Sequence, residues 1–207
     1  MDVALRVRRE DGRDLPLLLW RFPAPMRMIA SAPHGGGLGL RRWVLNAQVP
    51  TSYARRDPDR HLAKLGVSLG LAGKGVGLLT AADVRAHRTA FDCGVETWAT
   101  VSLGHAVQAA APHDPSPVAM VGTINLVAIL PERLSDAALV NVVATASEAK
   151  AQALRDLGLD ATGTATDAVV VLCPDEGRPH DFGGPRSLWG ARLARAVHAS
   201  VLAGGRP

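Results

Sequence analysis

Residues 122–173 restrict the fold more than any other part of the chain, because they read without interruption as strand, helix, glycine turn and strand. The first piece, 122–130, carries Ile124, Leu126, Val127, Ile129 and Leu130 and stops at Pro131, the short apolar run of a buried strand. A helix follows. Ser135 and Asp136 can accept from the free amides of its first turn, and Gly158 stands where a left-handed residue would end it. At about 100° per residue, Leu139, Val142, Val143, Ala146, Ala149, Ala153 and Leu157 gather on one side, the face to be buried. Asn141, Thr145, Glu148 and Gln152 stack into a polar ridge on the opposite side. Such a ridge is the ordinary solvated back of a helix unless other groups converge on it. Lys150 falls inside the apolar face. Either its methylenes lie along the core with the ammonium outside, or it is a partly desolvated amine able to polarise a carbonyl or move a proton. Lysine is scarce here, with only Lys64, Lys74 and Lys150 in a chain that otherwise uses arginine.

At 207 residues the chain suits one domain, 1–207, with a substantial core. Hydrophobic residues make up 47% and charged residues 20%, which excludes a disordered chain. The net charge of +4 comes from scattered arginines with no aromatic-interleaved basic stripe, so no nucleic-acid partner is expected. Cys93 and Cys173, far apart in apolar surroundings, read as buried free thiols of a reducing compartment. The charged N-terminus and the Pro16 interruption of the 15–20 apolar run predict neither a signal peptide nor a membrane span. The expected location is cytoplasmic, with no membrane partner and with homo-oligomers left open.

Along the chain, 3–9 and 17–22 flank Asp11-Gly12 and predict a hairpin, and 28–32 predicts a third strand. Next comes the loop Pro33-His34-Gly35-Gly36-Gly37, whose glycines let backbone amides approach a ligand, although no nucleotide fingerprint is present. A strand over 43–49, a helix over 58–71, strands over 88–91 and 95–102, a connector over 105–117, a polar loop over 174–184 and a helix over 185–202 complete the pattern. The halves echo each other. Asn46 with Pro50 answers Asn125 with Pro131, and 80–84 answers 164–168, which would set Asp83 and Asp167 at equivalent strand starts. The fold class is therefore α+β, a layered sandwich of mainly antiparallel sheet covered by helices, with internal pseudo-duplication in four αββα layers as the alternative.

No metal-ligand spacing and no Gly-x-Ser-x-Gly elbow is present. What remains are Asn, Thr, Asp and Glu at strand ends and on the helix ridge, which can supply a nucleophile, a base and oxyanion donors for amide hydrolysis. Glu148 or Asp83 is the candidate base, Thr166 the nucleophile, Lys150 an electrostatic support, and Asp167 a carboxylate in the same turn. Ser31, His34, Gly35, Gly36, Gly37, Asn46, His61, Asn125, Asn141 and Thr164 are candidate substrate contacts. If 164–167 is extended, Thr164 and Thr166 share a face that Asp167 turns away from. Each of these residues also has an ordinary structural use as cap, turn or β-former.

The runs SAPHGGGLG, WVLNAQVP, DPDRHLAKLG, GLLTAADV, VETWATVSLG, TGTATDAVVVL and FGGPRSLWGARLARAVHASV, together with the long central run 122–154, resemble the adenosylcobinamide amidohydrolases of the CbiZ type. The resemblance covers nearly the whole chain after about Ser31. It implies cleavage of the aminopropanol amide of adenosylcobinamide to adenosylcobyric acid, in corrinoid salvage for coenzyme B12. It also implies a corrinoid partner and no cofactor of the enzyme's own, since cobalt belongs to the substrate. Trp43 and Trp98 are candidate apolar walls for such a ligand. The rival readings are a corrinoid-binding module without catalysis and an amidohydrolase acting on a different amide.

Overall fold

The computed structural model describes residues 1–112 and 122–206. Strands β1 (Asp2–Glu10) and β2 (Arg13–Ala30) form a hairpin. Its two turn residues, Asp11 and Gly12, take φ of 49° and 75°, the left-handed pair that matches the twist of the flanking strands. The runs 17–22 and 28–32, expected as two strands, are joined in β2. Its pairing with β3 (Gly37–Gln48) shifts between Arg21 and Met26, where Pro23 and Pro25 have no amide hydrogen to donate. Because β3 begins at Gly37, Gly37 and Gly39 belong to a strand rather than to a ligand loop. Helix α1 (Pro58–Ser68) then returns the chain to β4 (Gly75–Thr80), parallel to β3.

After a short 3-10 turn (Val84–Ala86), the same plan is repeated. Strands β5 (Arg88–Asp92) and β6 (Val95–Ser102) form a hairpin. The connector then contributes β7 (Ala106–Val107), and its residues 113–117 lie outside those described. Strand β8 (Thr123–Ile129) runs antiparallel to β6. Helix α2 (Asp136–Asp156) is capped by Ser135, whose side chain accepts from the Ala138 amide, and Gly158 past its end has φ of 79°. Strand β9 (Gly163–Thr164) pairs with β7, and β10 (Ala168–Cys173) lies parallel to β8. Helix α3 (Leu188–Gly205) closes the chain, capped by Ser187.

The main sheet has the order β4-β3-β2-β10-β8-β6-β5, with β1 against the first part of β2 on the edge that β10 takes farther along. Hairpin, strand, helix and parallel strand thus occur twice with the same internal order, and β2 joins the halves by pairing with β10. Asp83 breaks the echo, because it follows β4 whereas Asp167 precedes β10.

Strand alternation sends side chains to three packed spaces. Leu17, Leu19, Trp43 and Leu45 pack outward on α1 through Leu62. Leu18, Trp20, Val44, Leu78, Val127 and Val170 fill the space between the halves. Ile124, Leu126, Val169 and Val171 face outward onto α2 and α3 through Leu139, Ala146, Leu193 and Val197. The result is an α+β arrangement of helix, sheet, sheet and helices. Asn46 of β3 reaches Thr100 of β6 at 3.1 Å, and Asn125 of β8 donates to Asn46 and to the Leu79 carbonyl at 2.9 and 2.8 Å. Partners so far apart in strand order meet only because the sheet curls over on itself.

Candidate active site

Lys150 sits two-thirds of the way along α2 with its side chain 12% exposed. That position follows from its place in the apolar face, and the core tolerates it because the ammonium meets the Asp167 carboxylate, itself 10% exposed. A buried charge needs such a partner. Asp167 reaches Lys150 because the turn between β9 and β10 folds back rather than running extended. One carboxylate oxygen, Oδ1, accepts from the Ile124 amide at 2.8 Å and lies 2.5 Å from Thr164 Oγ1. The other, Oδ2, accepts from the Thr164 amide at 3.1 Å and from Lys150. Thr164, Thr166 and Asp167 therefore converge, where an extended segment would have sent Asp167 the other way.

The hydroxyls continue the network. Thr166 Oγ1 donates to the Gly122 carbonyl at 2.9 Å and lies 2.5 Å from Thr123 Oγ1. Thr164 Oγ1 has the Gly122 carbonyl as its second acceptor, at 2.9 Å. Gly163 is a glycine for a packing reason: a Cβ there would stand 2.5 Å from both Lys150 Nζ and Asp167 Oδ2. Beside this cluster a cleft of about 370 Å³ is lined by Lys150, Gly163, Thr164, Ser147, Glu148 and Val107. It shares Glu148, Ala151 and Thr162 with a neighbour of about 470 Å³ bearing Gln108, Gln152, Arg155 and Asp160. Of the carboxylates that sequence pointed to, Glu148 faces both clefts.

The other candidates are placed elsewhere. Asp83 accepts from the Arg85 amide at 3.0 Å, caps the 3-10 turn and lines neither cleft. Asn46 and Asn125, 2% and 1% exposed, commit amide hydrogens to the interior bonds given above, and neither lines either cleft. Asn141 and Thr145 hold a loop: Asn141 Oδ1 accepts from the Gly183 amide, and Thr145 Oγ1 lies 2.9 Å from the Gly183 carbonyl. Ser31 extends the β2–β10 pairing, its amide donating to Val169 and its hydroxyl accepting from the Val169 amide. His34 stacks on Trp43 with ring centroids 5.8 Å apart. A Cβ on Gly35 or Gly36 would strike the carbonyl of Gly75 or Ala32, whereas Gly37 faces open space with φ of 81°. Trp43 and Trp98 pack in the interior, Trp98 edge-on to Trp20.

His61 belongs to a separate constellation. Its Nδ1 lies 2.9 Å from the Tyr53 hydroxyl, and Glu10 Oε1 lies 2.7 Å from Nε2, off the axis of a well-directed hydrogen bond. Arg8 Nε donates to the other Glu10 oxygen at 2.9 Å. Burial pushes the Tyr53 phenol above its ordinary pKa. Glu10, Tyr53 and His61 border a cleft of about 420 Å³ next to the start of α1.

Among the described residues no group of three or more His, Cys, Asp or Glu is placed to hold a metal ion, and no helix is long and apolar enough to cross a membrane. The residues missed from the sequence are Thr123, Gly122 and Gly163. Their signal is the pairing of β7 with β9 and the packing of 122–124 against the 164–167 turn, neither of which periodicity encodes.

Residues 2–206 match the family model described as adenosylcobinamide amidohydrolase. The chain belongs to that family. It is 28% identical over 178 residues to the adenosylcobinamide amidohydrolase of Methanosarcina mazei, covering 82% of this chain and 85% of that one. It is 31% identical over 186 residues to the adenosylcobinamide amidohydrolase of Halobacterium salinarum, covering 86% and 79%. Family membership makes the chain an amidohydrolase, and the twin cleft beside Lys150 and Asp167 offers that class of enzyme an ammonium, carboxylates and hydroxyls in one place.

Proposed function

We propose that the protein hydrolyses the aminopropanol amide of adenosylcobinamide to adenosylcobyric acid and aminopropanol, in corrinoid salvage for coenzyme B12, and that the chemistry occurs in the cleft beside Lys150. The observation that carries this placement is the buried Lys150–Asp167 pair opening onto a cleft flanked by Glu148. The clefts suit an amide-bearing side arm, leaving the macrocycle outside, where Gln108, Gln152 and Arg155 can meet its peripheral carboxamides.

Hydrolysing an amide requires charge stabilisation on the carbonyl oxygen and a proton for the departing amine. The Lys150 ammonium has two N–H groups beyond the one given to Asp167, and they can polarise the scissile carbonyl. Asp167 fixes that ammonium in place. Glu148, on the cleft wall, exchanges protons with the leaving amine or with water. The reaction is assigned no metal of the enzyme's own, because these side chains already provide each requirement. A corrinoid is the small-molecule partner; the cytoplasm is the assigned compartment, with neither nucleic acid nor a membrane as partner.

Incubation of the purified protein with adenosylcobinamide, followed by mass spectrometry, tests the reaction. The expected products are adenosylcobyric acid and aminopropanol. Tight binding without products identifies a corrinoid carrier instead, and neither binding nor products points to another amide. Lys150→Met and Glu148→Gln should each lower kcat on the order of 10²-fold or more, within the range of single electrostatic and acid–base contributions. Asp83→Asn should leave it unchanged.

A further inference from the structure

Asp167 has no lone pair left for water. A carboxylate offers about four acceptor positions, and all four are occupied, by the Ile124 amide and Thr164 hydroxyl on Oδ1 and by the Thr164 amide and Lys150 on Oδ2. It therefore cannot serve as the base that activates a hydrolytic water directly. Among the described residues its one side-chain neighbour with an exchangeable proton, apart from Lys150, is the Thr164 hydroxyl. That hydroxyl has a single proton and two acceptors, with the carboxylate at 2.5 Å nearer than the Gly122 carbonyl at 2.9 Å. Thr166 differs: its proton points to the Gly122 carbonyl and its other close contact is Thr123, so among the described residues no base touches it. Thr164 lines the cleft with Lys150, and Thr166 lines neither cleft.

We propose that Thr164 is the nucleophile and that the amide is cleaved through a covalent acyl-threonine ester, an inference that rests on the amide-hydrolase reading of this cleft. Thr164 Oγ1 bonds to the amide carbon as its proton passes to Asp167 Oδ1. The oxyanion forms against the Lys150 ammonium. Collapse breaks the C–N bond, and aminopropanol departs with the proton held by Asp167. Water then adds to the ester, giving a proton to Glu148 on the cleft wall, which hands it on to Thr164 Oγ1. The C–Oγ1 bond breaks, Thr164 recovers its proton, and the acid is released. One water is consumed and nothing is oxidised or reduced.

Thr164→Val keeps the shape of the side chain and removes the hydroxyl. The expected result is a fall in kcat on the order of 10³-fold or more with corrinoid affinity retained, while Thr164→Ser and Thr166→Val stay within about tenfold of the parent. Folded Thr164→Val with turnover within tenfold of the parent overturns the proposal. If that variant does not fold, the unmodified enzyme decides. Turnover in hydroxylamine should divide the product between acid and hydroxamate in a ratio independent of the leaving amine, tested with the aminopropanol amide and an amide of a different amine. A ratio that varies with the leaving amine means no shared acyl-enzyme and sinks the inference, although the hydrolase assignment survives. An unmodified enzyme with no turnover of adenosylcobinamide removes both.

Discussion

At Gly163 one missing methyl group decides whether the reacting groups can meet. A Cβ there would stand 2.5 Å from Lys150 Nζ and Asp167 Oδ2. Since Asp167 is also held by the Ile124 amide and Lys150 is a long flexible chain, the ammonium is what yields. Gly163→Ala should therefore fold, keep most of its thermal stability and lose most of its kcat, measured by melting and by product formation side by side. Removing the charge on one partner is a harsher change. Asp167→Asn leaves a buried ammonium unpaired and should cost about 3 kcal/mol or more in denaturant unfolding. Lys150 was legible because its spacing set it among alanines and leucines. Asp167 was named as a candidate, but its meeting with Lys150 was not legible, because that contact depends on a turn folding back across 164–167, and alternation along a strand predicts the reverse. A second residue-scale contrast concerns the thiols. Cys173 is buried as expected and burial pushes its pKa up, whereas Cys93, expected to be buried too, is exposed because it forms the β5–β6 turn with φ of 44°. One thiol should react with a disulfide reagent in the native protein, and the second only after unfolding.

The polar ridge of α2 shows how far helical periodicity reaches. Asn141, Thr145, Glu148 and Gln152 do share a line, yet they have two occupations. The first two grip the Gly183-Gly184 loop between α2 and α3, and the last two border clefts. The run FGGP at 182–185 marked the loop, but nothing local said which helix would hold it. At the opposite side of α3, Arg195 ties the helix to the β5–β6 hairpin through both Asp92 oxygens. The Arg195 hydrogen bonds hold the Asp92 carboxyl below its usual range against the opposing effect of desolvation. A carboxyl whose folded pKa is depressed contributes stability above its unfolded pKa and loses it as pH falls through the folded one. Native stability should thus decline on acidification from about pH 4 downward, and Arg195→Gln should lessen that decline, as read from unfolding midpoints across a pH series.

The whole molecule is two copies of one plan stitched along a single strand. The Asn46 and Asn125 echo was visible in the sequence, and these residues do meet between the layers. The echo between 80–84 and 164–168 misled, since similar small residues stand after one strand and before the other. What composition could not reveal is that β2 serves both halves, with its first part against β1 and its last part against β10. Residues 1–112 expressed alone should show no cooperative unfolding transition, whereas mixing them with 122–207 should restore one, observed by circular dichroism on heating. That shared strand also imposes an order in time. During synthesis, Arg27–Ala30 must wait on the ribosome for a partner encoded some 140 residues downstream, so the nascent chain carries an open hydrogen-bonding edge through most of translation. Slowing the ribosome before β10 emerges should then cost yield of soluble protein even where every codon is read correctly.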